Sequence, residues 1–191
     1  KVMELPSVEK IIDGQVTIDD VKNVKVEDIL GREPIKPIKG LDKDVKDKNI
    51  LITGAGGSIG SELSRQVLDL GPKTLVLYDQ SEFNLYSIHQ ELEKHSNNIK
   101  VIPVLASIHN KFKLNKIFEE YSINTVYHAA AYKHVPMVEL NVVSGVYNNV
   151  VGTFNVASAA KDLGVENMVL ISTDKAVRPT NVMGASKRLS E

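Results

Sequence analysis

The sequence contains no cysteine, and its charge is nearly balanced. Without cysteine the chain can form neither a disulfide framework nor a thiolate metal site, which fits a reducing, cytoplasmic compartment. A formal net charge of −1 over 191 residues argues against a broad nucleic-acid surface. The content of 42% hydrophobic and 25% charged residues is that of an ordinary globular chain and allows one well-buried domain.

A long uninterrupted apolar segment is also missing. Residues 140–160 carry no charge, but asparagines, serines and glycines interrupt them, and buried amides are costly in lipid. We interpret this stretch as a buried helix of a soluble protein without membrane contact. The chain has no signal-like apolar block and begins with Lys1 rather than Met, so it is expected to be a piece of a longer protein.

The histidines do not show the pattern of a metal site. His128 and His134 both lie near the end of a predicted strand, without a cluster of Asp or Glu beside them. We therefore predict no metal, and we expect structural or solvent-facing roles for the histidines. Of the five, only His134 lies near the predicted ligand crevice.

The composition changes near residue 46. Residues 1–46 hold short valine-rich segments and then GREPIKPIKG, whose prolines and glycines disfavour helices and central strands. We interpret them as an upstream tail and linker, and the charge run LDKDVKDK at 41–48 as solvated. Residues 47–191 are predicted to form a nucleotide-binding domain.

Strand-like and helix-like patterns alternate from Asn49 onward. Five short runs are rich in Val, Ile and Leu, as in strands buried on both faces: NILIT, TLVLYD, IKVIPVL, NTVYHAA and NMVLIS. Segments with helical spacing, such as SELSRQVLDLG and SEFNLYSIHQELEKH, separate them. This alternation predicts an α/β fold, a doubly wound parallel Rossmann sheet with a ligand crevice at the carboxyl ends of its strands.

A glycine-rich loop, TGAGGSIGSEL, follows the first predicted strand and opens a helix. Gly54, Gly57 and Gly60 allow, in turn, a tight turn, the approach of a pyrophosphate to backbone N–H groups, and close packing of the helix on the strand. Ser58 and Ile59 stand between the last two glycines and belong to the same predicted cofactor site. The strand and helix on either side favour dinucleotide binding over an ordinary glycine-rich turn.

An acidic residue ends the second predicted strand. Asp79 follows Gly60 by about 20 residues, where a carboxylate can accept both hydroxyls of the adenosine ribose and repel a 2′-phosphate. No Arg or Lys follows it in DQSEF, so the sequence predicts NAD rather than NADP. Helix capping by Asp79 or Ser81 is the alternative.

Small residues follow the third and fourth predicted strands. Ser107 and Ile108 are predicted to contact the adenine ring. Ala129, Ala130 and Ala131 leave room for a flat cofactor against the backbone, although plain core packing would also explain three alanines.

Five segments together carry a resemblance to a known family: LITGAGGSIGSELSRQ, DQSEFNLYSIHQEL, HAAAYKHVPMVE, NNVVGTFN and STDKAVRPTNVMGASKR. They resemble the bacterial nucleoside-diphosphate-sugar 4,6-dehydratases of the large CapD-like type, which are extended short-chain dehydrogenases. The matches cover residues 49–191, and EDILGREPI resembles the segment that precedes the catalytic domain.

That resemblance implies a function and a location. The implied reaction is the NAD-dependent 4,6-dehydration of UDP-N-acetylglucosamine to a 4-keto-6-deoxy sugar, a lyase step in the synthesis of capsule, O-antigen or glycoprotein glycans. It also implies upstream helices that attach the full-length protein to the inner face of the bacterial membrane. A sugar-binding portion is expected downstream of residue 191, so the chain alone is expected to be inactive.

The resemblance also implies catalytic residues. Thr173, Asp174 and Lys175 match the Thr-Asp-Glu strip of the related glucose dehydratases, with Lys175 in place of Glu. Met183 stands where most short-chain dehydrogenases carry Tyr, which is the pattern of this subgroup. Lys187 keeps the place of the lysine that holds the nicotinamide ribose.

Three further residues are implied near the site. Asn149 belongs to the NxxGT element of the helix behind the cofactor, and Lys133 and His134 are expected near the substrate. The helix over about 136–163 is the one that commonly forms a dimer interface in extended short-chain dehydrogenases. We therefore expect a homo-oligomer for the full-length protein.

The chemistry can be assigned to these residue types. Oxidation at C4 of the hexose acidifies the proton on C5, which Lys175 would remove if desolvation and nearby Lys187 lower its pKa. Asp174, if a dry crevice keeps it protonated, would donate to the departing C6 hydroxyl. An ordinary ion pair between Asp174 and Lys175 is the alternative.

Two other functions stay open. A nucleotide-sugar 4-epimerase shares the fold and cofactor, but it needs the Tyr that Met183 replaces and has no use for an acid and base at C5 and C6. A non-catalytic NAD-binding module is the second alternative for the chain as it stands.

Overall fold

The computed structural model describes residues 3–4, 22–23, 41–96 and 99–191, and it divides into two compact units. In the first unit, Lys1–Lys39, the segment Met3–Glu4 pairs antiparallel with Lys22–Asn23. The other sequence predictions for residues 1–40 lie outside the described residues. Everything below concerns the second unit, Gly40–Glu191.

A five-stranded parallel sheet forms the centre of this unit. Its strands are β1 (Asn49–Thr53), β2 (Thr74–Asp79), β3 (Lys100–Leu105), β4 (Thr125–His128) and β5 (Asn167–Leu170). They lie in the order β3-β2-β1-β4-β5. The α/β Rossmann prediction is therefore confirmed.

Helices cover the sheet between consecutive strands. They are α1 (Ser58–Asp69), α2 (Glu82–Glu93), α3 (Lys111–Tyr121), α4 (Val135–Leu140), α5 (Val142–Val146), α6 (Gly152–Asp162) and α7 (Val182–Ser190). A π-helical turn, Tyr147–Val151, joins α5 to α6. A 3-10 turn, Asp174–Ala176, lies between β5 and α7.

Two apolar clusters hold the layers together. One includes Ile50 and Leu77 of the sheet and Leu85 of α2, and the other includes Val76, Phe118 of α3 and Val156 of α6. Every residue of β2 is buried, whereas the edge strands β3 and β5 are partly exposed. The expectation of burial on both faces therefore holds at the centre of the sheet and is wrong at its edges, where each strand has one neighbour.

The charge run at 41–48 is not a solvated linker throughout. Val45 is 1% exposed and belongs to the core. The hydroxyl of Thr125 donates to the carbonyl of Asp44 (2.8 Å), and the amide of Asn167 donates to the Asp44 carboxylate (3.2 Å). Val45 thus anchors the run against the sheet.

The predicted long helix over 136–163 is interrupted. Asn141 leaves helical geometry at φ −134° between α4 and α5, and the π turn interrupts it a second time. It is not buried all round either, because Leu140, Val143 and Phe154 are 81%, 82% and 67% exposed. No helix among the described residues is long and apolar enough to cross a membrane.

Candidate dinucleotide and active site

A cleft opens at the carboxyl ends of β1, β2 and β4, as the sheet topology predicts. We call it the glycine-loop cleft, and it is lined by Gly54, Gly57, Tyr78, Asp79, Gln80, Ser81, Asn84, Ala106, Ile108, Ala129, Ala130, Ala131, Tyr132 and Asn148. Seven of the residues predicted for the cofactor are among these: Gly54, Gly57, Asp79, Ile108 and the three alanines.

Gly54 makes the turn out of β1 at φ +67°, which other residues rarely adopt. Its N–H donates to the Tyr78 carbonyl at 2.8 Å. A Cβ at this position would lie 2.7 Å from the backbone of Ala130. Gly54 therefore lets the loop after β1 and the loop after β4 approach each other at the floor of the cleft.

The next glycines hold the start of α1 in place. A Cβ on Gly60 would lie 1.9 Å from the Gly54 carbonyl oxygen, so α1 can approach the loop only without a side chain there. Gly57 is the N-cap of α1, where free N–H groups and the helix dipole favour a phosphate. The sequence interpretation missed Gly56, where an added Cβ would lie 2.5 Å from Asn84.

Asp79 has two backbone partners besides any ligand. It is 8% exposed, and its carboxylate accepts the N–H of Gly56 (2.9 Å) and the N–H of Ser81 (2.8 Å). Ser81 in turn caps α2 through the N–H of Asn84 at 3.4 Å. The carboxylate is thus fixed at the cleft, and it retains lone pairs that could accept ribose hydroxyls.

The two residues after β3 differ in their positions. Ile108 lines the cleft, while Ser107 does not. The Ser107 carbonyl accepts the Tyr78 hydroxyl (2.9 Å), and its side chain accepts the His109 N–H (3.3 Å). Ser107 therefore shapes the turn, and of the two residues predicted to contact the adenine ring only Ile108 lines the cleft.

The π turn places two adjacent asparagines on the inner side. Asn149 is 0% exposed and does not line the cleft. Its side-chain oxygen accepts the N–H of Tyr132 (2.8 Å), while its NH₂ donates to the Tyr132 carbonyl (3.0 Å) and the Ser186 hydroxyl (2.9 Å). Asn148, which the sequence interpretation passed over, is the one that lines the cleft.

A second pocket lies beside the cleft and shares Ala129, Ala131 and Tyr132 with it. We call it the Met183 pocket, and its other lining residues are Ile59, Lys133, Ile171, Ser172, Thr173, Lys175, Met183 and Lys187. Four of the five residues implied as catalytic thus line one pocket. Asp174 is the exception.

Lys187 is the buried cation of this pocket, with 5% exposure. Its ammonium donates to the Ile171 carbonyl at 2.7 Å. Burial lowers the pKa of Lys187, while nearby Glu191 opposes that shift. An ammonium has three donors, so two are free of this carbonyl and available to a ribose.

Asp174 and Lys175 are more exposed than the proposed chemistry requires. The Lys175 ammonium lies 3.7 Å from the Asp174 carboxylate, and the two side chains are 52% and 90% exposed. A hydrogen bond from Thr173 (2.9 Å) and the charge of Lys175 lower the pKa of Asp174. In the chain alone Asp174 does not lie in a dry crevice, and the geometry is that of the alternative interpretation, an exposed ion pair.

Three contacts that the sequence did not reveal position α7. Asn181 caps it through the Gly184 N–H (2.8 Å), and Glu139 of α4 accepts the Val182 N–H (2.6 Å). A Cβ on Gly184 would lie 2.3 Å from the Lys175 carbonyl oxygen. These contacts hold α7 against the 3-10 turn that carries Lys175, and they set where Met183 and Lys187 point.

Lys133 reaches back to the glycine loop. Its ammonium donates to the hydroxyl of Ser58, in the first turn of α1, at 2.6 Å. It thereby brings a positive charge to a helix N-terminus already suited to phosphate. His134 lines a third pocket with Met137 and Val138, and this pocket shares Ala131, Tyr132 and Lys133 with the Met183 pocket.

The sequence relatives decide the family. The family model described as "Polysaccharide biosynthesis protein" matches residues 50–191. The chain belongs to this family. The capsular polysaccharide biosynthesis protein CapD of Staphylococcus aureus is 45% identical over the whole chain, which spans 32% of CapD. The chain thus covers about a third of that relative's length.

Relatives named for a reaction fall into two kinds. A UDP-N-acetylglucosamine 4,6-dehydratase (inverting) of Campylobacter jejuni is 32% identical over 75% of the chain, and a UDP-glucose 4-epimerase of Rickettsia rickettsii is 34% identical over 76%. The chain covers 42% of each of them. The family therefore contains nucleotide-sugar enzymes with different reactions.

Solved structures agree on the fold. Pen from Bacillus thuringiensis is 35% identical and superposes with a TM-score of 0.71 over 77% of this chain and 45% of Pen. A UDP-glucose-4-epimerase from Stenotrophomonas maltophila, with bound NAD and formylated UDP-arabinopyranose, is 22% identical, with a TM-score of 0.67 over 74% of this chain and 46% of its own. That structural relative therefore binds both NAD and a UDP-sugar.

Proposed function

We propose that the protein containing this chain catalyses the NAD-dependent 4,6-dehydration of a UDP-linked N-acetylhexosamine, for the synthesis of a surface polysaccharide or glycan. The observation that carries the proposal is the Met183 pocket, where Lys175, Met183 and Lys187 lie together beside the glycine-loop cleft. A lysine at 175 and no tyrosine at 183 suits elimination better than epimerisation.

The cleft suits a dinucleotide on steric grounds. Side chains on Gly54 or Gly60 would clash with neighbouring backbone and distort the loop, and the Asp79 carboxylate, fixed at the cleft, would accept the ribose hydroxyls. Gly57, Ser58 and Lys133 would hold the pyrophosphate, and Lys187 the nicotinamide ribose. Bound NAD supplies a reversible hydride acceptor.

The residues of the Met183 pocket would divide the remaining work. Thr173 would orient the C4 oxygen, and Lys175 would remove the C5 proton. Asp174 is ionised in the chain alone, so it must gain a proton before it can act as the acid at C6. A bound sugar that covers its exposed carboxylate would raise its pKa by desolvation and favour that form.

The test uses the full-length protein, with UDP-N-acetylglucosamine as substrate and with the mass and the NMR spectrum of the product as readouts. Loss of one water from the sugar supports the proposal, and conversion to the 4-epimer of unchanged mass contradicts it in favour of an epimerase. Asp174→Asn and Lys175→Ala should each lower turnover by about 10²- to 10⁴-fold and retain NAD binding.

Met183→Leu is the matched control for these variants. It keeps the volume of a residue that is 3% exposed, so it should cost little turnover. If Met183→Leu were as damaging as Asp174→Asn, or if the Asp174 and Lys175 variants stayed active, the assignment of roles would be wrong.

A further inference from the structure

A buried network of hydrogen-bonded side chains lies beneath the cleft, and its residues line neither pocket. It consists of Thr53, His128 and Thr153, which are 0%, 1% and 5% exposed. Nδ1 of His128 lies 2.5 Å from the Thr53 hydroxyl, and Nε2 lies 2.9 Å from the Thr153 hydroxyl. The Thr153 hydroxyl continues the chain to the carbonyl of Asn149 at 2.5 Å.

The direction of each hydrogen bond in this network follows from the Asn149 carbonyl at its end. The Asn149 carbonyl can only accept, so the single proton of the Thr153 hydroxyl points to it. Thr153 must then accept from Nε2–H of His128, which leaves Nδ1 of the neutral ring to accept from the Thr53 hydroxyl. The side-chain polar atoms of Thr53, His128 and Thr153 are therefore all hydrogen-bonded without any charge, as burial requires.

These hydrogen bonds join three segments that line the cleft. Thr53 ends β1 and precedes the glycine loop, while His128 ends β4 and precedes the three alanines. Asn149 belongs to the π turn and holds both backbone groups of Tyr132. The imidazole of His128 thus connects the end of β1, the end of β4 and the π turn, which together surround the proposed NAD site.

We propose that His128 is a positioning residue that fixes the glycine loop relative to the π turn, so that the cleft is formed before the dinucleotide binds. The inference rests on the proposed NAD site for its functional consequence. Its structural part, coupling between Thr153 and the loop after Thr53, does not.

Thr153→Val tests the coupling, because it keeps the volume, removes the hydroxyl and leaves Nε2–H without its partner. Amide hydrogen exchange should become about tenfold faster at Gly54 and Gly57, relative to core amides such as Val76, since Nε2–H of His128 would be left buried without an acceptor. NAD affinity, measured by calorimetry, should fall about tenfold for the same reason. Thr153→Ser should restore both.

Ile117→Val is the matched control, because it weakens the core of α3 away from the cleft. It should lower the melting temperature and leave loop exchange and NAD affinity unchanged.

Thr53→Val removes the other hydroxyl and serves as a second variant if Thr153→Val does not fold. The proposal is overturned if Thr153→Val only lowers the melting temperature, as Ile117→Val does. Absence of NAD binding by the full-length wild-type protein would instead overturn the proposed function, and the exchange data would still decide the coupling.

Discussion

At the residue scale, His128 gives the fold a defined response to acid. Burial, with the charge of Lys187 in addition, lowers the pKa of His128 from 6.5 to about 3. Below pH 6.5 the unfolded chain takes up a proton that the folded chain refuses until about pH 3, so the free energy of unfolding decreases across this interval. The slope approaches about 1.4 kcal/mol per pH unit, or about 2 kcal/mol at pH 5.

Urea unfolding at pH 7.5 and pH 5 measures this effect. His128→Asn has no titrating side chain at this position and should show a smaller difference between the two pH values. The carboxylates whose pKa is lowered, such as Glu91 and Glu166, lose their contribution only below their ordinary range and do not disturb the comparison. An equal pH difference in both proteins would contradict the assignment.

Gly54 supplies a second prediction at this scale. Gly54→Ala combines a positive φ with a clash against the Ala130 backbone. Gly164→Ala is its matched control, because Gly164 has φ +70° and nothing within 4 Å of its added Cβ. Each should lose about 1 kcal/mol from backbone strain, and Gly54→Ala should lose more and also abolish NAD binding. Thermal melting and calorimetry check the pair, and equal losses would show that the close approach is unimportant.

At the element scale, the exposed apolar face of α5, the π turn and α6 predicts self-association of the full-length protein. Val143, Tyr147 and Phe154 lie on it and are 82%, 50% and 67% exposed. Tyr147→Lys or Phe154→Lys should weaken the oligomer, measured by light scattering, because each puts a charge into an apolar contact. Phe83→Lys on α2, at a residue 77% exposed, is the control and should have no effect.

The elements also show what the sequence could and could not predict. Apolar runs fixed the bounds of β1 and β2 because central strands are buried and end where polar residues or glycine begin. The break at Asn141 and the π turn carry no such signal, because both lie inside an uncharged run whose pattern shows no helix end. For that reason the sequence pointed to Asn149 as the cofactor residue, whereas the π turn places Asn148 at the cleft.

The candidate site was predictable to a similar extent. Spacing alone brought Gly54, Gly57 and Asp79 to one cleft, because parallel strands end at the same edge. The protonation state of Asp174 could not be predicted, since it depends on how far the 3-10 turn extends into solvent. The same is true of Glu139, whose contact with Val182 joins residues far apart in sequence.

At the scale of the whole molecule, ligand binding should appear as stability. A ligand that binds only the folded state at 100 times its dissociation constant adds about 2.7 kcal/mol to the free energy of unfolding. NAD should therefore raise the melting temperature of this chain more than NADP does, because the Asp79 carboxylate would repel a 2′-phosphate. The Gly54→Ala variant, whose added Cβ would clash with the Ala130 backbone and force apart the two loops of the cleft, should show no shift with either. An equal or larger shift with NADP would contradict the role of Asp79.

The side chain of Asn149 imitates a peptide group. It offers Tyr132, in the loop after β4, one acceptor and one donor, as the backbone of a neighbouring strand would. Hydrogen bonds between two strands are made by the backbone and survive almost any substitution, but these two depend on a single side chain. Asn149→Asp would keep the acceptor, lose both donors and bury a charge. The hydrogen bond from this side chain to Ser186 of α7 therefore depends on the same amide nitrogen that holds Tyr132.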